Sequence, residues 1–269
     1  MSNKAKTGIC HLCGVNGKLS YEHVPPRAAF NNRPLVAQAM DDLIRNGTEG
    51  ARRRVFQRGA GAHTLCERCN NLTGHWYGPA YVEWVYQGMC ILGQARGNPS
   101  LYYNFHILPS RVIKQIVCMF FSVNPPTFQA IQEDLVRFVL DRDKRHLPQG
   151  FRLFMFYAVG TMFRQSGLTA SMNVLYPRRN SLFSEITFPP FGYVLSVDSS
   201  PLLNSPPHAD LLDISRFGEY GFNSYRAIPL KIPVLPVVTY FPGDYRSQAE
   251  MDKVYEAVNS GADIGSPAE

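Results

Sequence analysis

What this 269-residue sequence lacks narrows what it can be. No apolar run reaches about 18 residues, so no membrane-spanning helix is expected. Residues Met1 to Thr7 are polar and basic, and no apolar stretch follows them. No secretory signal is therefore expected, and a cytoplasmic, reducing setting is. There is no internal repeat and no low-complexity tract. Charged residues are sparse, at 18% of the chain against 45% hydrophobic. That balance argues against a disordered chain and is enough for a sizeable core, as one large domain or two smaller ones.

Acidic residues are scarcest at the front. Residues 1–100 carry 12 Lys or Arg against 6 Asp or Glu, whereas residues 101–269 carry 15 of each. The whole formal charge of +6 therefore belongs to the N-terminal portion. A local basic excess suits a polyanion such as nucleic acid, although a charge of this size is also ordinary for a chain this long.

Cysteine is infrequent but patterned: Cys10, Cys13, Cys66, Cys69, Cys90 and Cys118. The first four form two Cys-x2-Cys pairs. Cys90 and Cys118 sit among apolar neighbours and are expected to be buried thiols. Paired knuckles without a secretory signal favour a metal over disulfides. Each Cys-x2-Cys turn lets two sulfurs face one ion, and four thiolates satisfy a closed tetrahedral zinc site. The 52 residues between Cys13 and Cys66 exceed the spacing of a compact zinc finger. The alternative is two unrelated pairs or a redox pair. A redox pair belongs at a helix start in a thioredoxin-like context, which is not visible here.

The pattern along the chain predicts the frame around these residues. Residues 8–30 read as a knuckle followed by an extended stretch from Leu19 to Val24, stopped by Pro25 and Pro26. Residues 31–62 read as a polar, irregular insert with a short helix near 36–44. The second knuckle leads into a helix with Pro79 as an early residue and Val82, Val85, Met89 and Leu92 as its buried stripe. Residues 97–100 are the expected boundary between a domain 1–96 and a domain 97–269. Beyond it, Val112, Ile113, Ile116, Val117, Phe120 and Phe121 mark one helix. Phe128, Ile131, Leu135, Phe138 and Val139 mark a second. Strands are expected at 151–159, 170–176, 184–188, 192–197 and 228–240, with the frequent prolines implying edge strands and fixed turns. A short helix from Ser247 and a polar tail end the chain. The fold class is α+β.

A closed four-thiolate site has no open position, so any chemistry must lie beside it. Glu22-His23-Val24-Pro25-Pro26 falls between the knuckles, and Asn70-Asn71 follows the second. Cys-x2-Cys, then Glu-His-Val-Pro, then Leu65-Cys66-x2-Cys69-Asn70-Asn71 resembles the zinc-containing HNH endonuclease family over roughly residues 8–85. The resemblance implies an N-terminal zinc-stapled ββα-metal module, in which two strands and a helix cradle one divalent cation, beside a C-terminal mixed α+β domain. It implies that His23 is the general base and that Glu22 binds the catalytic Mg²⁺ or Mn²⁺, where aspartate is more usual. It implies that Asn71, or its neighbour Asn70, is the second metal ligand. The activity implied is metal-dependent hydrolysis of nucleic-acid phosphodiester bonds, in DNA more than RNA. Compact members with a second domain resemble parts of bacterial anti-phage or restriction systems.

The family's middle asparagine is absent before Leu65, and His63 stands there instead. His63 either replaces it, holding His23 or contacting phosphate, or is a polar strand residue. His75 either approaches the metal or packs with Trp76 and Tyr77. Arg52, Arg53, Arg54 and Arg58 are either a phosphate-binding element or a solvated charge run. The competing reading of the whole is a non-catalytic zinc-stapled module for nucleic-acid binding or assembly. In residues 97–269, Arg164, Glu185 and Arg178-Arg179 are candidate polar contacts that form no recognised catalytic set. That region is expected to select targets, mediate oligomerisation or bind a regulator.

Overall fold

A computed structural model of the protein describes residues 6–171, 181–197, 211–236 and 256. The chain begins with β1 (Thr7–Ile9), the first knuckle and β2 (Asn16–His23). The insert contributes β3 (Leu35–Ala37), α1 (Met40–Gly50) and β4 (Arg54–Phe56), and β5 (Gly61–Cys66) runs directly into the long helix α2 (Glu67–Leu92). Then come β6 (Ser100–Ile107), α3 (Pro109–Val123), α4 (Thr127–Ile131), α5 (Glu133–Leu140) and β7 (Phe151–Val159). The described chain closes with β8 (Arg164–Ser171), β9 (Ser181–Phe188), β10 (Phe191–Val197), β11 (Leu212–Asp213), a 3-10 turn at Ser215–Glu219 and β12 (Arg226–Pro236). The architecture is mixed α+β, as expected. No helix among the described residues is long and apolar enough to cross a membrane.

Three sheets organise these elements. β1, β2 and β5 form a small antiparallel sheet, and β3 pairs with β4 as a two-stranded ribbon. The large sheet has the order β6-β12-β7-β10-β9-β8, with β11 also on β7. In the small sheet a register shift between Ser20 and Tyr21 breaks the strict alternation of β2. Leu19 and Glu22, three residues apart, consequently both turn inward. This bulge is the reason a glutamate near the end of a strand becomes a buried group.

Helix α2 begins where β5 ends, so Pro79 lies in its interior and not in its first turn. Its buried face is also rotated from the expected one. Cys69, Thr73, Tyr77, Ala80, Tyr81, Trp84, Val85 and Gly88 are buried at steps of three and four, while Val82, Met89 and Leu92 are only partly covered. Tyr81 and Trp84 pack on the large sheet, Trp84 stacking on Phe191 at 4.8 Å between centroids, while the Tyr77 hydroxyl donates to the Val139 carbonyl. Cys90 falls on the far side of the helix and is exposed, against expectation, whereas Cys118 is buried as expected.

Helix α3 is covered on nearly every face from Val112 to Ser122. Its buried Lys114 donates from Nζ to the carbonyls of Phe138 (2.7 Å) and Asp141, using the free carbonyls at the end of α5 as acceptors. The expected helix over 128–139 is two helices, because Gln132 is non-helical (φ −129°, ψ 49°), and Ile131 is left 68% exposed. The expected helix near 36–44 is the strand β3 followed by α1. β6 was not expected at all, and β8 begins earlier than the predicted 170. Residues 172–176 and 237–240 of the expected strands, and the helix from Ser247 apart from the helical residue 256, lie outside the described residues.

The prolines of β12 do not place it at an edge, since it lies between β6 and β7. It pairs with β6 over Arg226–Pro233 and with β7 only over Val234–Pro236, so each stretch uses one side. Pro229 and Pro233 are four residues apart, so their missing donors fall on the same side of the strand. The four residues 97–100 connect α2 to β6, and side chains from both sides of them share one core. Leu12, Leu65 and Trp84 belong to the same buried cluster as Phe105, Ile116, Phe120 and Tyr193. Polar contacts also cross: His11 Nδ1 donates to the Phe121 carbonyl (3.3 Å), and Gln165 Nε2 to the Val24 carbonyl (2.8 Å).

Candidate functional site

Cys10 and Cys13 sit in the turn between β1 and β2, Cys66 ends β5, and Cys69 is in the first turn of α2. Strand pairing of β2 with β5 brings the two knuckles together. The four sulfur atoms lie within 4.8 Å of one another. Cys13 Sγ and Cys66 Sγ are 3.8 Å apart. Zinc–sulfur bonds of ~2.3 Å arranged tetrahedrally give sulfur–sulfur edges of about 3.8 Å, so the cluster fits such an ion. The Cys66 amide donates to Cys10 Sγ (3.2 Å). Hydrogen bonding with Cys69 holds the Cys10 thiol down to about 4, and burial pushes Cys13 up. The four cysteines can therefore hold a metal such as zinc, which would staple β5 and α2 to the first turn.

Beside this cluster lies a cavity of about 700 Å³, lined among others by Glu22, His23, Arg27, Asn70, Glu83 and Gln115. Glu22 is only 7% exposed. Among the described residues no hydrogen bond or ion pair reaches its carboxyl group, and burial pushes its pKa up to about 8. Burial and then the charge of Glu22 raise the pKa of the Cys118 thiol on α3. His23 Nε2 lies 3.1 Å from the Arg58 carbonyl. A carbonyl can only accept, so Nε2 carries the proton and the neutral ring keeps a lone pair on Nδ1. Burial lowers the His23 pKa, the Arg58 carbonyl partly opposes this, and Arg27 lowers it further. The ring is accordingly neutral at pH 7.

The two adjacent asparagines have different fates. Asn70 Nδ2 donates to Ser20 Oγ (3.0 Å) and to the Tyr21 carbonyl (3.3 Å). The carbonyl partner fixes the amide's orientation, and among the described residues no donor reaches Asn70 Oδ1. Asn71, one residue further round the helix, is exposed and lines neither this cavity nor its neighbour. The structure thus brings Asn70, and not Asn71, together with Glu22 and His23.

A second cleft of about 560 Å³ shares Tyr21 and His23 with the first and adds Arg54, Phe56, Arg58 and His63. The Arg54 guanidinium lies over the Phe56 ring at 4.6 Å. Tyr21 meets His23 and His63 edge-on, with centroids 4.9 and 5.3 Å apart. His63 packs on Tyr21, and burial lowers its pKa. The Arg58 carbonyl, not His63, holds His23. Arg52 and Arg53 are exposed but line neither cleft. His75 is exposed on α2 and also lines neither, while Trp76 packs edge-on with Tyr77 at 5.9 Å. Arg164 and Glu185 form a buried ion pair on the large sheet (2.8 Å), and Arg178-Arg179 lie outside the described residues.

Sequence reasoning missed two residues here. Asn31 is fully buried, accepts from the Ala60 amide and donates to the carbonyls of Pro25 and Ala60, each at 2.7 Å. It ties the turn after His23 to the turn before β5. Gly59 adjoins it with φ +96°, where an added Cβ would lie 2.1 Å from the Asn31 carbonyl oxygen, so only glycine fits. The second is Gln115, whose side-chain oxygen is buried with no hydrogen-bond partner among the described residues. Neither has a signal in the sequence beyond a polar residue in an unremarkable setting. Comparison with known proteins yields no match to a family model, a curated protein or a solved structure.

Proposed function

We propose that the protein is a metal-dependent HNH-type endonuclease that hydrolyses nucleic-acid phosphodiester bonds, in DNA more than RNA, with a structural zinc at the four cysteines. The observation that carries this reading is the fixed tautomer of His23. A neutral imidazole with Nε2 held by a backbone carbonyl presents Nδ1 as a base beside two unpartnered oxygen groups. The donor set suits a hard cation. Among the described residues the buried Glu22 carboxyl group has no cationic partner and Asn70 Oδ1 has no donor.

In this reading Nδ1 of His23 takes a proton from water as its oxygen attacks the phosphorus, and the bond to the leaving 3′ oxygen breaks. Glu22 and Asn70 would hold Mg²⁺ or Mn²⁺. When bound, that ion supplies positive charge to the phosphate and to the leaving oxygen. Arg54 and Arg58 neutralise neighbouring phosphates from the second cleft, a contact that positions the strand without choosing a base. Tyr21 and the Arg58 carbonyl keep the imidazole in place. The setting proposed is the cytoplasm, and the resemblance points to bacterial defence.

The test is cleavage of plasmid DNA, single-stranded DNA and RNA by the purified protein with Mg²⁺ or Mn²⁺. His23→Ala is expected to lower the rate by about 10²- to 10⁴-fold while leaving nucleic-acid binding unchanged. A wild-type protein that binds these substrates and cuts none of them is a binding module instead.

A further inference from the structure

We infer that the bare face of α2 at Gly74 and Gly78 seats one unpaired nucleotide of the strand being cut, so that single strands are preferred to duplexes. This conclusion rests on the nuclease reading above for the scissile phosphate at His23.

Helix α2 carries three of the residues least suited to a helix interior, Gly74, Gly78 and Pro79. All three line the cavity beside Glu22. The fold does not require the two glycines. A Cβ added at either would meet nothing within 4 Å, and neither has the positive φ that favours glycine. Gly88, further along the same helix, is the contrast. There a Cβ would lie 2.1 Å from the Phe191 ring, so packing demands glycine. A glycine that weakens a helix without serving its packing leaves backbone open to the close approach of a ligand. Glu22 points to the same ligand independently. It is only 7% exposed, and no hydrogen bond among the described residues reaches its carboxyl group. Its oxygens are nevertheless not among the fully enclosed polar atoms without a partner, so they keep surface on the cavity that Glu22 lines.

The chemistry of the glycine face selects the part of the ligand that lies on it. The amides of Gly74 and Gly78 are used within the helix, so this face offers C–H surface and no donor. A phosphate gains nothing there, whereas the sugar and the flat face of a base do. Arg27 and Glu83, which line the same cavity, supply donors and acceptors for a base edge. Gly74 and Gly78 lie about 6 and about 12 Å along the helix from Asn70, roughly the length of a nucleotide beyond the catalytic end. The cavity of about 700 Å³ has the size of a small-molecule site and admits a nucleotide but not a duplex. A paired base must first leave its stack to enter, a cost that a single strand largely avoids. The second cleft meets this cavity at Tyr21 and His23 and carries Arg54 and Arg58. The strand therefore crosses His23 with phosphates toward the arginines and one sugar and base against α2.

The experiment is fluorescence anisotropy of a labelled oligothymidine and of the matching duplex with the full-length, zinc-loaded protein, no other divalent cation being added. Wild type is expected to bind the single strand at least about tenfold more tightly than the duplex. Gly78→Leu is expected to weaken single-strand binding about tenfold or more while the melting temperature holds or rises, because the fold has room for the side chain. A merely structural glycine would show the reverse, a lower melting temperature. Gly74→Ala and Gly78→Ala, which add one methyl group each, keep the test decisive if the leucine variant does not fold. They are expected to raise the melting temperature and to weaken binding several-fold when combined. Single-strand affinities within about twofold of wild type in all variants, or a wild-type preference for duplex, overturn the inference. Oligonucleotide cleavage with Mg²⁺ or Mn²⁺ is scored separately. Cleavage by a protein whose binding ignores both glycines removes the seat and keeps the nuclease. Glycine-dependent binding of single strands by a protein that cuts nothing keeps the seat and removes the nuclease.

Discussion

The two clefts that meet at Tyr21 and His23 are built from opposite chemistry. One is lined by Glu22, Asn70 and Gln115, carried on β2, α2 and α3, which are anchored in the main core, with Glu83 and Arg27 beside them. The other is lined by Arg54, Arg58 and the imidazole of His63, and its two arginines belong to an insert whose arginines are all exposed. Burial makes a lone carboxyl group costly in its charged form, so Glu22 in the first cleft favours its protonated form. Exposure lets guanidinium groups stay charged and hydrated at little cost, so the second attracts an anion without needing one for stability. The lesson is a division of labour by burial. In the proposed reading, the groups that must be placed accurately sit on packed elements, and the groups that supply affinity are exposed. His23 belongs to both because β2 ends between them.

The largest expected effect removes both clefts together. Cys66 joins β5 to α2 and lies against Cys13, so one sulfur links the strands that carry Glu22 and His63 to the helix that carries Asn70. Structural zinc in small modules contributes on the order of 10 kcal/mol of folding free energy. Cys66→Ser is expected to release the zinc and to abolish cooperative unfolding of the N-terminal region, read by metal analysis and thermal melting. Cys90→Ser, at an exposed thiol, is expected to leave both unchanged. If the Cys66 variant keeps its zinc and melts like wild type, the clefts do not depend on the staple.

Glu22 breaks the comparison on one side only. Its pKa is pushed up to about 8 in the folded protein, against about 4.3 for an unfolded chain. Between those values the folded state holds a proton that the unfolded state has released. Without divalent cation, the contribution of this group is therefore full below about pH 4 and is lost as pH rises to about 8, amounting to a few kcal/mol. Glu22→Gln is expected to flatten that slope, and so is saturating Mn²⁺, which takes the place of the proton. Urea unfolding at about pH 5.5 and about pH 8, with zinc retained and no other divalent ion added, measures it. A wild-type slope equal to that of the variant sinks the buried-acid account and with it the contrast between the clefts.

Legibility in the sequence followed how local each constraint is. The cysteines were readable because metal ligation demands sulfur at fixed spacing, and Glu22-His23 because it lies between them. The α+β class, and the strands over 151–159 and 192–197, followed from apolar and aromatic runs bounded by glycine and proline. The choice between Asn70 and Asn71 depended on the phase of α2, which is set by the end of β5 and not by Pro79, where the helix was expected to begin. Gln115 was hidden inside the apolar stripe of α3, and its unpaired oxygen becomes visible only once α3 packs on the small sheet. Asn31 was hidden because its partners are backbone groups of Pro25 and Ala60, which no side-chain pattern reports. Proline in β12 misled because a strand paired on one side at a time tolerates missing donors in the middle of a sheet.

The smallest expected effect concerns the second cleft alone. Composition treats Arg52, Arg53, Arg54 and Arg58 alike, but of these only Arg54 and Arg58 line the cleft beside His23. If that cleft carries the nucleic-acid backbone, Arg54→Ala and Arg58→Ala should each weaken binding several-fold and lower the slope of log affinity against log salt by about 1. Arg52→Ala and Arg53→Ala should change affinity less than about twofold. Because the backbone carbonyl of Arg58, and not its side chain, holds His23, Arg58→Ala should leave the pH dependence of cleavage where it was. Titration of a labelled oligonucleotide at several salt concentrations separates these outcomes. Equal losses at all four positions would mean that the insert presents a diffuse charged face, and that phosphate approaches His23 by a route other than the second cleft.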